Sequence, residues 1–151
     1  MIKRKFGWTS VDVPVIGQGT WLIENGSSNN NKDYNLAIKT LQVGLDLGMT
    51  HVDTAEMYGN GKAEELVGQA IAGRKRDEIF LTSKVLPSNA SYEGTIRACK
   101  NSLRRLKTDY LDLYLLHWPS YLYPITETMQ AMEKLVSDNL VKFIGVSCFV
   151  A

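Results

Sequence analysis

Met49 to Gly61 reads MTHVDTAEMYGNG. A short apolar run, Met49 to Val52, ends in Asp53. Tyr58 follows shortly after, and Gly59, Asn60 and Gly61 close the stretch with turn-forming residues. The pattern predicts a buried strand that delivers a carboxylate at its C-terminal end, then a loop that presents a phenol. Two later runs repeat the plan: IFLTSK puts Lys84 at the end of a strand, and LDLYLLHWP puts His117 at the end of another. If these strands are parallel, a carboxylate, a phenol, an ammonium and an imidazole meet at one mouth.

Between these strands the apolar residues recur at helical spacing. Asp33 is the expected N-cap of a helix with Ala37, Leu41, Val43 and Leu45 inward and Gly48 as its left-handed terminator. Ala63 to Ala72 forms a second helix, with Leu66, Val67, Ala70 and Ile71 buried, and Gly73 ends it. Ser91 caps a third, whose face is Ile96, Cys99, Leu103 and Leu106; there Cys99 is a small core residue, not a nucleophile. Thr126 to Ser137 is a fourth, with Met129, Met132, Leu135 and Val136 inward and the turn Asp138-Asn139 after it. Val141 to Val146 is a last strand. Ahead of all this, Ile2 to Phe6 and Val11 to Val13 make a hairpin with Gly7 in its turn, limited by Pro14. Val15 to Thr20, VIGQGT, is a first buried strand. Its glycines do not make a dinucleotide fingerprint, because Leu22 stands where the third glycine is required and no helix follows at once. Ser27 to Asn31 is a polar loop.

The order is β-α-β-α-β-α-β-α-β behind a hairpin, at about thirty residues per unit. Right-handed β-α units with reactive groups at C-terminal strand ends describe a (β/α)8 barrel, with a doubly wound open sheet as the competing α/β solution. A complete barrel takes roughly 250 residues; 151 hold about four and a half units. The expected fold is therefore the N-terminal part of a TIM (β/α)8 barrel, residues 1–151 as a single partial domain with the hairpin at 1–13.

Composition narrows the partners. A net charge of +1 without a basic block argues against nucleic acid, which needs clustered Lys and Arg; Arg74 to Arg76, bracketed by Asp77 and Glu78, is expected to be a solvated loop. No stretch approaches the ~20 apolar residues of a membrane span, and MIKRKFGW lacks a signal peptide's apolar segment, so a cytoplasmic protein is expected. Cys99 and Cys148 have no metal-ligand spacing, so no metal site is indicated.

GQGTW (Gly17 to Trp21), HVDTAEMYGN with the downstream AEELVGQAI, FLTSK, TDYLDLYLLHWP and finally VKFIGVS (Val141 to Ser147) resemble, in order and spacing, the successive motifs of the aldo-keto reductase family. The resemblance covers the N-terminal half of the family's full barrel. It implies reduction of small aldehydes or ketones by NADP(H), with NAD(H) as the alternative. It also implies a catalytic tetrad of Asp53, Tyr58, Lys84 and His117. The chemistry is coherent on its own terms: an alkoxide must be protonated, a nearby cation favours phenolate, and Tyr58 as acid beside Lys84, with Asp53 holding the ammonium and His117 donating to the carbonyl oxygen, meets that need. Taken singly, each has a plainer role: Asp53 a turn cap, Tyr58 loop packing, Lys84 a snorkelling charge, His117 a core imidazole. By the same resemblance Gly19, Thr20, Trp21, Asp53 and Ser147 contact the cofactor. Trp21 and Trp118 wall a substrate pocket that also includes Tyr58 and His117. Cys148 stands where the family usually carries asparagine, and Asn139 where it usually carries glycine. His51 is expected to be a neutral barrel-facing or buried residue and Asp112 a buried carboxylate without assigned role. The competing function is a truncated, non-catalytic half-barrel whose open edges pair with a partner chain or its own copy; a Schiff-base lyase using Lys84 leaves Tyr58 and Asp53 unexplained.

Overall fold

The computed structural model describes residues 1–21, 23 and 31–149. Five parallel strands form one sheet in sequence order: β3 (Gln18–Gly19), β4 (His51–Asp53), β5 (Phe80–Val85), β6 (Leu111–Leu116) and β7 (Val141–Val146). Strand order equal to chain order is the curl of a barrel wall; a doubly wound sheet would reverse it at a switch point. Four helices connect the strands: α1 (Asn31–Asp46), α2 (Lys62–Ile71), α3 (Tyr92–Leu106) and α4 (Ile125–Ser137). They pack in succession on the outer face of the sheet. The core lies between the two layers, where Val52, Leu81, Tyr114 and Leu116 meet Leu45, Val67, Leu106 and Met132.

Local chemistry explains the element ends. Gly48 has φ +89°. Its amide bonds to Leu45 O at 2.9 Å and that of Met49 to Gly44 O at 2.9 Å, the paired bonds that satisfy a helix's last carbonyls. Lys107 and Asn139 close α3 and α4 in the same left-handed conformation without glycine. Ser91 caps α3, its Oγ accepting from the Gly94 amide at 3.1 Å.

Several expectations need correction. Parallel pairing of the first barrel strand begins at Gln18, opposite Val52, and not at Val15. The Val15 amide instead donates to Ile2 O at 3.0 Å, and Val15 and Ile16 are half exposed. These residues extend the hairpin, while Gly17 passes so close to His51 that a Cβ would lie 3.0 Å from its Nδ1. The hairpin itself pairs β1 (Lys3–Lys5) with β2 (Asp12–Pro14), with Gly7 in the turn at φ +56°. Asp33 falls inside the first turn of α1, which starts at Asn31; Ser27 to Asn30 lie outside the described residues. Val43 and Val136 are exposed, at 48% and 36%.

Arg76 is no solvated charge. Its guanidinium donates to Thr108 Oγ1, Ile79 O and Tyr110 O and pairs with Asp112 at 2.8 Å. Asp112 also holds Lys142 at 2.9 Å and the Leu81 amide at 3.0 Å. This network ties β5, β6 and β7 together at their N-terminal ends. Phe6 of the hairpin packs there, 5.0 Å from the Phe80 ring and 5.5 Å from Phe143. The hairpin thus packs against the N-terminal ends of the strands, and their opposite ends carry the candidate site.

Candidate active site

Asp53 ends β4, Lys84 stands near the end of β5, and His117 follows β6 directly. In parallel strands the inward positions alternate, and the register places Asp53 opposite Thr82 and Lys84 opposite Leu115. Both side chains therefore rise on the barrel side at the C-terminal mouth. Tyr58 arrives from the segment beyond β4, in a 3-10 turn (Tyr58–Gly61). Its ring is buried against Ala55 and Ala63.

Lys84 is 6% exposed, and its ammonium has three donors. They go to Asp53 Oδ1 at 2.5 Å, Thr54 O at 3.0 Å and the Tyr58 hydroxyl oxygen at 3.3 Å. A snorkelling lysine keeps its head in water; this one does not. Because the hydroxyl oxygen of Tyr58 accepts from Lys84, its own proton is free to point elsewhere. His117 is buried beside it, ring centroids 5.6 Å apart and nearly perpendicular. The four groups lie together on neighbouring strands.

Burial holds His117 below its ordinary pKa, the Lys84 ammonium pushes the same way, and the Asp53 carboxylate offsets part of this. The imidazole is thus neutral near pH 7, with one N–H to donate. Its Nδ1 is buried and has no partner among the described residues. One layer down, His51 is also held low, chiefly by burial, and its Nε2 lies 3.2 Å from Thr82 Oγ1; it is the neutral barrel-facing residue expected.

The flanking residues are placed as follows. Gly19 pairs with Asp53, and none of the described residues stands within 4 Å of where its Cβ would be. Thr20 is buried and bonds to Asp53 O through both its amide and its hydroxyl, at 3.0 and 3.1 Å. Trp21 is 69% exposed. Trp118 is half-buried, its ring 4.7 Å from that of His117. Ser147 follows β7 and its amide bonds to Leu116 O at 2.9 Å; Cys148 beside it is exposed, in the left-handed conformation. Among the described residues no group of His, Cys, Asp and Glu is placed to hold a metal, and no helix is long and apolar enough to cross a membrane.

A profile of the Aldo/keto reductase family matches residues 15–151. The chain belongs to that family. Methylglyoxal reductase YeaE of Escherichia coli K12 is 47% identical over 137 residues, covering 91% of this chain and 46% of that protein. An aldo/keto reductase from Klebsiella pneumoniae, solved in complex with NADP and acetate, is 48% identical with a TM-score of 0.84, over 93% of this chain and 47% of that one. A thermostable aldo-keto reductase solved with the inhibitor epalrestat reaches a TM-score of 0.93 at 40% identity, over 99% of this chain and 54% of that one. The chain spans about half the length of the relatives it matches, and its fold is half of an aldo-keto reductase barrel.

Two residues of this family member's mouth carried no sequence signal. Thr54 gives its carbonyl to Lys84. Glu56 accepts from the Leu86 amide at 2.6 Å and from Asn89 Nδ2 at 3.0 Å. Both lie inside the stretch Met49 to Gly61, but their partners are some thirty positions away, across the β4–β5 crossover. A concavity of about 650 Å3 lies toward the other end, between Phe6, Trp8, Val136 and Phe143. Volume alone does not outweigh the converging polar groups of the mouth, so the mouth is the candidate site.

Proposed function

We propose that this chain reduces small aldehydes or ketones to alcohols with NADP(H), in the cytoplasm, with residues 1–151 acting as one partial-barrel unit whose hairpin, residues 1–13, packs against the N-terminal ends of the strands. The observation that carries the proposal is the Lys84 ammonium, held by Asp53 at 2.5 Å and 3.3 Å from the Tyr58 hydroxyl. Tyr58 gives its proton to the carbonyl oxygen. The phenolate left behind faces the ammonium, which stabilises it, and Asp53 keeps the ammonium from shifting with that proton. Neutral His117 donates its N–H to the same carbonyl oxygen, which orients the substrate and stabilises negative charge as it develops.

The mouth suits a nicotinamide ring: among the described residues nothing crowds the space over Gly19, and the Thr54 hydroxyl is buried without a partner beneath the site. In this reading Gly19, Thr20, Trp21, Asp53 and Ser147 hold the cofactor's nicotinamide end. When bound, the reduced cofactor supplies hydride to the carbonyl carbon. Trp21 and Trp118 wall a small pocket with Tyr58 and His117, which suits compact carbonyl compounds. The methylglyoxal reductase relative makes 2-oxoaldehydes the first substrates to try. The free thiols of Cys99 and Cys148 suit the reducing compartment proposed.

A second reading, a non-catalytic half-barrel that pairs with a partner or its own copy, is favoured by β3 and β7, which have no outer neighbour among the described residues. One experiment separates the two. NADPH is titrated against tryptophan fluorescence, the sample is sized by sedimentation, and methylglyoxal reduction is followed by loss of NADPH absorbance. Saturable binding with turnover is expected. A folded chain without either overturns the reductase reading in favour of the second.

A further inference from the structure

Glu56 takes no part in the proton transfer, yet it stands between Asp53 and Tyr58 on one segment. That segment continues the pairing of β4 with β5 beyond the strand itself. The Thr54 amide bonds to Thr82 O at 2.9 Å and the Glu56 amide to Lys84 O at 3.3 Å. The Glu56 side chain then crosses to the loop after β5. A single oxygen, Oε1, accepts both the Leu86 amide at 2.6 Å and Asn89 Nδ2 at 3.0 Å.

We propose that Glu56 is a positioning residue, whose Oε1 clamp on Leu86 and Asn89 holds the Tyr58 hydroxyl in register with Lys84. The turn beyond it is internally bonded, Tyr58 N to Ala55 O at 3.1 Å and Asn60 N to Met57 O at 3.0 Å, so it moves as a unit and Glu56 sits at its root. The loop it grips is fixed from the far side, where Ser120 Oγ donates to Pro87 O at 3.0 Å. The clamp therefore joins the phenol's turn to an anchored neighbour. The contact it protects, 3.3 Å from Lys84 Nζ to the hydroxyl, is already at the long end of hydrogen bonding, so small drift breaks it. Both donors meet the same oxygen; what matters is an acceptor at that point, which glutamine also supplies.

The proposal rests on Tyr58 acting as the acid, and its test reads both position and turnover. Amide hydrogen exchange of Leu86 and Tyr58 is measured by NMR in the parent chain, Glu56→Ala and Glu56→Gln, alongside kcat and KM for methylglyoxal with NADPH. In Glu56→Ala both amides exchange roughly tenfold faster. In the same variant kcat drops roughly tenfold while KM stays within about twofold, because a misplaced acid slows the chemical step more than it weakens binding. Glu56→Gln restores all of these. Faster exchange at Leu86 with none at Tyr58 overturns the clamp, and so does a glutamine variant that behaves like alanine. If Glu56→Ala does not fold, Asn89→Ala removes one tie from the other side and must give the same exchange pattern in weaker form; an unchanged Tyr58 amide there is equally fatal. If the parent chain shows no turnover, the reductase reading falls, while the exchange data still decide whether the clamp exists.

Discussion

Tyr58→Phe is the sharpest probe of the proposed chemistry, because the structure separates what the hydroxyl does from what the ring does. The ring is 8% exposed, packs on Ala55 and Ala63, and keeps all of this as phenylalanine. Among the described residues the hydroxyl makes one hydrogen bond, accepted from Lys84 at 3.3 Å, and Lys84 retains Asp53 and Thr54 when it is gone. The stability cost is therefore that of one long hydrogen bond, about 1 kcal/mol, which lowers Tm by roughly 2–4 °C in a chain of this size. Loss of a positioned general acid costs roughly 100- to 10,000-fold in rate, or about 3–5 kcal/mol at the transition state. The assay is NADPH oxidation by methylglyoxal at saturating NADPH, paired with a fluorescence titration of NADPH. The expected outcome is a collapse of kcat with cofactor affinity within about twofold. A variant that keeps more than about a tenth of the parent kcat refutes the assignment, since His117 or water would then be the proton source.

Three further outcomes follow from buried groups. Glu64 is fully buried and bonded to Arg105 at 2.6 Å and Ser83 at 2.6 Å; Arg105→Met strands it and lowers unfolding stability in urea by roughly 3–5 kcal/mol, with Glu64→Leu added in the same chain recovering most of the loss. The two histidines of the chain, His51 and His117, are both held below their ordinary value. The unfolded chain therefore binds more protons just below about pH 6.5; stability is full above that pH and declines as pH falls through the folded values. Thermal melts from pH 7.5 to 5.5 show the decline, and a slope that persists after both are replaced by glutamine rules the histidines out. Burial, with the Glu64 carboxylate second, pushes the Cys99 thiol up to about 12, so a thiol reagent titrates exposed Cys148 in the native chain and Cys99 only after denaturation; two fast thiols in the native chain contradict the buried placement.

How far the sequence could be read depended on whether the deciding contact was local. Helix ends were legible because their signals are: Ser91 bonds to a residue three positions on, and Gly48 needs only its own φ. The strand-end carboxylate, ammonium and imidazole were legible because each follows its apolar run directly. Val43 shows local information misapplied. It is two positions from both Leu41 and Leu45, about 200° around the helix from each, so it could not share their face. Val15 and Ile16 were not decidable locally, since an apolar extended pair serves a barrel strand or a hairpin equally well; the hydrogen bond from Val15 to Ile2 chose the hairpin. Arg76 looked like one charge in a solvated run because its partners Thr108, Tyr110 and Asp112 lie across the β5–β6 crossover. Glu56 was hidden for the same reason.

The distribution of the site over the sheet sets what half a barrel can retain. Asp53 and Tyr58 belong to β4 and its following turn, Lys84 to β5, and His117 to the end of β6. All three strands are interior to the sheet, each paired on both sides, so the relative placement of the four groups is fixed by parallel register and by the α2 and α3 crossovers. Gly19, Thr20 and Trp21 lie on or after β3, and Ser147 and Cys148 after β7, the two outer strands. Among the described residues, the two-residue β3 is held inward by its pairing with β4, by Thr20, which bonds to Asp53 O, and by Gln18 Nε2, which donates to Leu41 O and Met49 O. Outer strands open most readily in any sheet that leaves them unpaired. The proposed proton-transfer group therefore rests on the best-supported part of the fold, and the proposed cofactor contacts other than Asp53 on the least. On the proposed function, a half-barrel with this topology is expected to lose cofactor binding before it loses the geometry around Tyr58, and a neighbour on either edge to act first on affinity for the nicotinamide.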